Sequence, residues 1–266
     1  MTSPIRIGIG GWTYEPWRDS FYPPKWPQKR ELEYASRHVT AIEVNGTFYS
    51  SFKPATFAGW RDTAPDGFVF ALKASRYCVS RKRLGEAGES VARFVGQGIV
   101  ELGEKLGPIL WQLPATKAFD PDDIAAFLAL LPAAEGGVTL RHAIQVRHAS
   151  FLVPDFVALC RAAGVAIVFA DSADHPALAD VSGDFTYARL ENAREEEPAG
   201  YAPAALDRWA QVARGWAAGE SPADLPCVAE PAPVRPRDAF VFFINGAKIR
   251  APHGAMALIE RVATTP

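Results

Sequence analysis

The stretch Ala41-Ile42-Glu43-Val44-Asn45 alternates apolar and polar side chains and closes on a polar one. Successive side chains of a β-strand point to opposite faces. Ile42 and Val44 suit an apolar surface, which leaves Glu43 and Asn45 together on the other face. Seven more strand-like runs accompany it: Ile5–Gly10, Phe68–Lys73, Ile109–Gln112, Val138–Arg147, Val165–Asp171, Phe185–Arg189 and Ala239–Asn245. All but the first of the set close on a polar residue, namely Asn45, Lys73, Gln112, Arg147, Asp171, Arg189 and Asn245. A loop and helix-like periodicity follow each run. Eight such units in 266 residues predict an α/β chain folded as a single (β/α)8 TIM barrel over residues 1–266. Its working face should lie at the carboxyl ends of the strands.

The helical segments carry ordinary apolar stripes. Asp120-Pro121 starts one, with Asp as cap and Pro in the first turn, and Ile124, Phe127, Leu128 and Leu131 follow at helical spacing. Val91, Phe94, Val95, Ile99, Leu102 and Leu106 mark a second. Leu206, Trp209, Ala213 and Trp216 mark another, and Met256, Ile259 and Val262 the last. Stripes of this kind pack helices onto a barrel. The Pro-rich segment Gly219–Asp238 reads as a link from the seventh helix to the eighth strand.

Composition narrows the partners. A net charge of -2 argues against a protein that coats nucleic acid or a membrane surface. No apolar run approaches the ~18 residues of a membrane span. The chain reaches a strand by Ile5, so no signal peptide is expected. Cys78, Cys160 and Cys227 are scattered, with neither disulfide nor metal-ligand spacing, which suits a reducing, cytoplasmic setting. Gly8-Ile9-Gly10-Gly11 leads into aromatics rather than a helix start, so no dinucleotide or nucleotide cofactor is expected. Of the histidines, only His148, with His175 and His253 as lesser candidates, reaches toward the strand ends, and no metal is expected. Nothing in the chain fixes an oligomeric state.

Strand parity predicts the site. Phe68, Phe70 and Leu72 face outward, so Val69, Ala71 and Lys73 face in. Ile109, Trp111 and Leu113 face outward and Gln112 inward; Ile144 and Val146 outward, with Gln145 and Arg147 inward. Asp171 shares a face with Ile167 and Phe169, Arg189 with Tyr187, and Asn245 with Phe243. The expectation is a ring of polar groups at the upper mouth, with Glu43 beside Lys73 and Asp171 between Arg147 and Arg189. Buried polar groups are costly unless paired, so such a ring is either a set of structural ion pairs or a ligand site. Three cations against two carboxylates leave one positive charge over. On this arrangement Arg147→Ala should also leave Asp171 poorly paired and lower stability.

The loops extend both readings. Arg76, Arg81, Lys82 and Arg83 follow the third strand, and Lys248 and Arg250 the eighth. Glu195, Glu196 and Glu197 follow the seventh and would repel an anion if they turned inward. The first loop is aromatic: Trp12, Tyr14, Trp17, Phe21, Tyr22 and Trp26, interleaved with prolines. Most of these rings read as a plug. Trp12 and Tyr14, nearest the strand end, are the candidates for stacking on a ligand.

Gly11-Trp12-Thr13-Tyr14, Glu43-Val44-Asn45-Gly46-Thr47-Phe48-Tyr49, Pro65-Asp66-Gly67-Phe68 and Gln112-Leu113-Pro114 form a recognisable set. Val146-Arg147-His148-Ala149-Ser150, Ala170-Asp171-Ser172 and Phe243-Ile244-Asn245 continue it. With these motifs the chain resembles the YecE-like family, domain of unknown function 72, along nearly its whole length. The resemblance implies an eight-stranded βα barrel and no settled activity. It carries over Glu43, Asn45, Lys73, Gln112, Arg147, His148, Asp171 and Asn245 as site positions. The chain departs from the family pattern at Gln145, where Glu is usual, at Ser80, where His is usual, at Glu191-Asn192, in place of His-Gly, and at Ala115, in place of Pro. The three lost ionisable groups put shared acid–base chemistry in doubt.

Three functions compete. The first is binding, with or without transformation, of a small anionic ligand bearing phosphate or carboxylate. Lys73, Arg147 and Arg189 would hold it, Trp12 or Tyr14 would stack, and Asn45, Gln112, His148 and Asn245 would line the site. An enzyme of this kind would act without metal, as a hydrolase or isomerase, with Glu43, Asp171 and Lys73 as its catalytic groups. The second is a nucleic-acid or nucleotide binding protein without catalysis, using the basic third loop and the aromatic first loop. The third is a glycan hydrolase with Glu43 and Asp171 as its carboxylate pair.

Overall fold

Gly8 lies so close to the neighbouring strand that a Cβ there would sit 2.0 Å from the Ala41 carbonyl oxygen, which only glycine tolerates. That contact joins β1 (Ile5–Gly10) to β2 (Ala41–Val44). In the computed structural model, which describes residues 3–264, six further strands complete a closed, all-parallel barrel. They are β3 (Val69–Lys73), β4 (Leu106–Gln112), β5 (His142–Gln145), β6 (Ala166–Asp171), β7 (Phe185–Leu190) and β8 (Asp238–Phe243). Each pairs with its neighbours in sequence, and β8 closes on β1. The fold is the expected TIM barrel. No helix among the described residues is long and apolar enough to cross a membrane.

The barrel interior is filled unevenly. Ala41, Ala71, Ala143 and Ala166 supply small side chains from four strands, and Phe185, Tyr187, Phe240 and Phe242 supply large rings from β7 and β8. Small groups on one side leave room for rings from the other, so the lower barrel is solid core. Ile42, Phe70, Trp111, Ile144, Phe169 and Phe243 belong instead to the outer cluster beneath the helices. Polar groups gather above this plug, at the carboxyl ends of the strands, while the Arg141–Asp238 ion pair (2.8 Å) lies against the Phe185 and Phe240 rings at the other end.

Two local readings need correction. The run Val138–Arg147 is not one strand. Gly136 and Gly137 turn at positive φ (53° and 80°) and pair Ala134–Glu135 with Val138–Thr139 as a small hairpin before β5 begins. Nor does a helix follow every strand: among the described residues none lies between β6 and β7. The Pro-rich segment 219–238 packs over that gap. The Asp180 carboxylate accepts from the Val228 and Ala229 amides at 2.9 Å each, and Arg161 donates to Val181 and Glu230 carbonyls at 3.1 and 2.8 Å. Buried Arg237 ties the segment to the Gly183 carbonyl and to the segment's own backbone at Gly219, Pro233 and Arg235. Asp180→Ala would strip two amides of a charged acceptor, at a cost of about 2–3 kcal/mol. Limited proteolysis should then cut within 219–238 faster than in the parent, and unchanged cleavage would deny the segment this anchor.

Candidate functional site

Arg189 is the centre of the mouth. It sits at the end of β7 and is 2% exposed, and Glu43, on the far side of the barrel on β2, is 0% exposed. The guanidinium grips Glu43 bidentately, Nε to Oε2 at 3.0 Å and Nη2 to Oε1 at 3.1 Å. Its Nη1 donates to Glu191 Oε1 at 2.6 Å and to Gln145 Oε1 at 2.8 Å. The Tyr187 hydroxyl donates to Glu43 Oε2 at 2.8 Å, and Gln112 Nε2 donates to Gln145 Oε1 at 2.6 Å. Arg189 thus ties β7 to β2 and β5, and Gln145 extends the network to Gln112 on β4, four strands in all.

This network fixes protonation states. Burial pushes the Glu43 carboxyl up, but the Arg189 charge and hydrogen bonds, with help from Lys73 and Tyr187, outweigh it and hold the group below its ordinary range. Burial, then the Glu43 charge, pushes the Tyr187 phenol well up, so it stays a donor. Glu43 is a locked carboxylate, poorly placed to give or take a proton near neutral pH.

Two other cations at the mouth are not locked. Among the described residues the Lys73 and Arg147 side chains make no ion pair and no hydrogen bond, although each senses Glu43, Glu191 and Arg189. The Lys73 ammonium lies 4.4 Å from the centre of the Phe48 ring, a cation–π contact. Burial, together with the Arg189 and Arg147 charges, pulls Lys73 down to about 8, against the opposing pull of Glu43 and Glu191. Burial and then Arg189 also pull Arg147 down, and its Nε is buried without a partner. Gln145 is 0% exposed, and its Oε1 is occupied by Gln112 and Arg189; its Nε2 has no partner. Buried donors without acceptors are rare in folded proteins.

The rim adds a cleft of about 290 Å³ lined by Gly10, Gly11, Trp12, Thr13, Asn45, Phe52, Trp60 and Lys248, among others. Trp12 is half-buried against Trp60, with ring centres 5.2 Å apart. Lys248 lies over the Tyr14 ring at 4.8 Å; burial lowers its pKa and the Glu43 charge opposes that. Trp17, Phe21 and Tyr22 are buried as the plug, as expected.

The structure brings together Glu43, Lys73, Gln112, Arg147 and Arg189, with Asn45, Trp12 and Tyr14 on the adjoining rim. It does not bring in Asp171. That side chain follows the outward face of Ile167 and Phe169 and accepts from Tyr201 at 2.8 Å and Asn192 at 3.0 Å, instead of lying between Arg147 and Arg189. Asn245 likewise follows outward Phe243 and is exposed. His148 caps the turn Ala149–Phe151, its Nδ1 accepting from the Ser150 amide. Glu43 neighbours Lys73 electrostatically but is paired with Arg189. The second carboxylate is Glu191, two residues beyond Arg189, a spacing that parity alone would have turned inward. Glu196 and Glu197 pair with Arg194 rather than entering the mouth, and Arg250 bonds the Glu195 carbonyl. Among the described residues no group of three or more His, Cys, Asp and Glu side chains is placed to hold a metal.

A closed parallel barrel with a charged cluster above its packed core places the chain among TIM-barrel proteins. More narrowly, it belongs to the family described as "Protein of unknown function DUF72", which matches residues 6–266. The UPF0759 protein YunF of Bacillus subtilis (strain 168) is 26% identical over 157 residues, covering 57% of this chain and 54% of that protein. The match thus spans about half the length of that relative. A DUF72 family protein from Thermotoga maritima superimposes with a TM-score of 0.74 at 18% identity, over 98% of this chain and 100% of that one. One from Enterococcus faecalis does so with a TM-score of 0.68 at 15% identity, over 99% of each chain. At these identities the likeness shows the fold alone.

Proposed function

We propose that the barrel mouth binds a small phosphate- or carboxylate-bearing metabolite, anchored by Arg147 and Lys73, with Trp12 and Tyr14 beside its body. One observation carries this reading. Arg189 takes up both carboxylates of the cluster, which leaves Arg147 and Lys73 as neighbouring cations without a paired anion. A bound anion would supply the missing acceptor in a low-dielectric site, where charge counts most. Gln145 Nε2 is a further donor without a partner.

A nucleic-acid reading has its own support in Arg76, Arg81, Lys82 and Arg83, all exposed on the loop after β3. The glycan-hydrolase reading loses its carboxylate pair, since Asp171 faces away and Glu43 is locked. A thermal-shift panel separates the first two. Inorganic phosphate and malonate should raise the melting temperature of the wild-type chain, while Arg81→Glu/Lys82→Glu leaves that rise intact. Salt-sensitive binding of single-stranded oligonucleotides, lost in that double variant and without any response to phosphate or malonate, would reject the small-anion reading.

A further inference from the structure

Lys73, like Arg147, stands apart from the paired charges at the mouth. Glu43 and Glu191 are held by Arg189, and Arg189 is held by them. Lys73 rises from the end of β3 with its ammonium against the Phe48 ring and no acceptor. The charges around it are Glu43 from β2, Arg147 after β5, and Arg189 and Glu191 at the end of β7. Desolvation and adjacent guanidinium groups favour the neutral amine, the two means by which a lysine becomes a nucleophile near neutral pH.

We propose that Lys73 is a covalent nucleophile that condenses with the carbonyl group of a small oxo acid whose carboxylate rests on Arg147. This rests on the anion-binding reading of the mouth and names its substrate class. In the step, Lys73 Nζ attacks the carbonyl carbon and forms a carbon–nitrogen bond. The carbonyl oxygen then leaves as water, taking with it the two amine protons, and a carbon–nitrogen double bond remains. The arrangement suits the step. The amine is apolar on one side, the guanidinium beside it positions the acid group, and the locked carboxylates cannot compete for the amine.

The test uses the full chain, glyoxylate and sodium cyanoborohydride. Hydride delivered to the imine carbon leaves a carboxymethyl group on the lysine, which peptide mapping by mass spectrometry locates. At neutral pH a lysine at about 8 holds roughly 200-fold more free amine than one at ~10.4. Some of that advantage is lost because a less basic amine is a weaker nucleophile. Lys73 should therefore be labelled about 10-fold faster than exposed Lys25, Lys29, Lys53 and Lys82, and malonate should slow it. Lys73→Arg should abolish that label, whereas Arg81→Glu/Lys82→Glu should keep both the label and the malonate-induced rise in melting temperature. Should Lys73→Arg fail to fold, the wild-type map with and without malonate decides alone. If malonate stabilises the protein but Lys73 is labelled no faster than the exposed lysines, the imine falls and anion binding stands. If malonate neither stabilises nor protects and Lys73 is not preferred, both fall.

Discussion

Arg189→Ala should lower the melting temperature by roughly 6–20 °C. The substitution leaves Glu43 and Glu191 buried together with no cation between them, and breaking a buried pair in this way costs about 3–5 kcal/mol. In a chain of this size each kcal/mol moves the midpoint by about 2–4 °C. The pH dependence carries the sign. Glu43 in the wild type titrates below its ordinary range, so its contribution to stability is complete above the unfolded value of about 4.3 and is lost as pH falls through the folded value. In the variant the pull of Arg189 is gone and burial is opposed only by Lys73 and Tyr187, so Glu43 titrates higher than in the wild type and folds more readily protonated. The gap between wild type and variant should therefore narrow as pH falls from 7 toward 4. Thermal unfolding across that range checks both parts. A gap that stays constant or widens would mean that Arg189 acts through packing and not through its charge.

Much of this arrangement was legible from alternation. In β2 through β5 the apolar face was continuous, so Glu43, Lys73, Gln112, Gln145 and Arg147 could be assigned inward from sequence. The same rule, kept to faces, also sends Asp171 outward, because Ile167 and Phe169 beside it are large and apolar; reading the polar end of each run as inward overrode it. Asn245 behind Phe243 repeats the case. Glu191 stands in the sequence reading as a departure from the family pattern and not as a site residue, because the strand-like run ends at Arg189, one residue before β7 ends and two before the partner that completes the cluster. Gln145, read as a loss of an ionisable group, proves to be the acceptor for Gln112 and Arg189. The covering of the gap after β6 was not legible at all. It rests on contacts between Asp180 and residues 48 and 49 positions away, and no local pattern encodes such pairings.

Arg147→Met separates the cost of the site from its use. On the expectation that Asp171 paired with Arg147, removing the guanidinium would destabilise the protein. The structure reverses that sign. Asp171 is held by Tyr201 and Asn192, and Arg147 has neither an ion pair nor a hydrogen bond among the described residues. Burial and the nearby Arg189 charge both disfavour the cation in place, against a weaker opposing pull from Glu191 and Glu43. Methionine keeps much of the length and removes the charge, so the ligand-free variant should be as stable as wild type or gain about 1 kcal/mol. Residual solvent contact of Arg147 holds the gain to that modest size. Affinity should move far more. Losing one partner of a desolvated charge pair costs about 2–5 kcal/mol, so malonate or phosphate should bind about 30-fold more weakly at least. Calorimetric titration and thermal unfolding of the same preparation read both quantities. A variant that melts several degrees below wild type would mean that Arg147 is part of the frame, and one that binds malonate as before would remove it from the site.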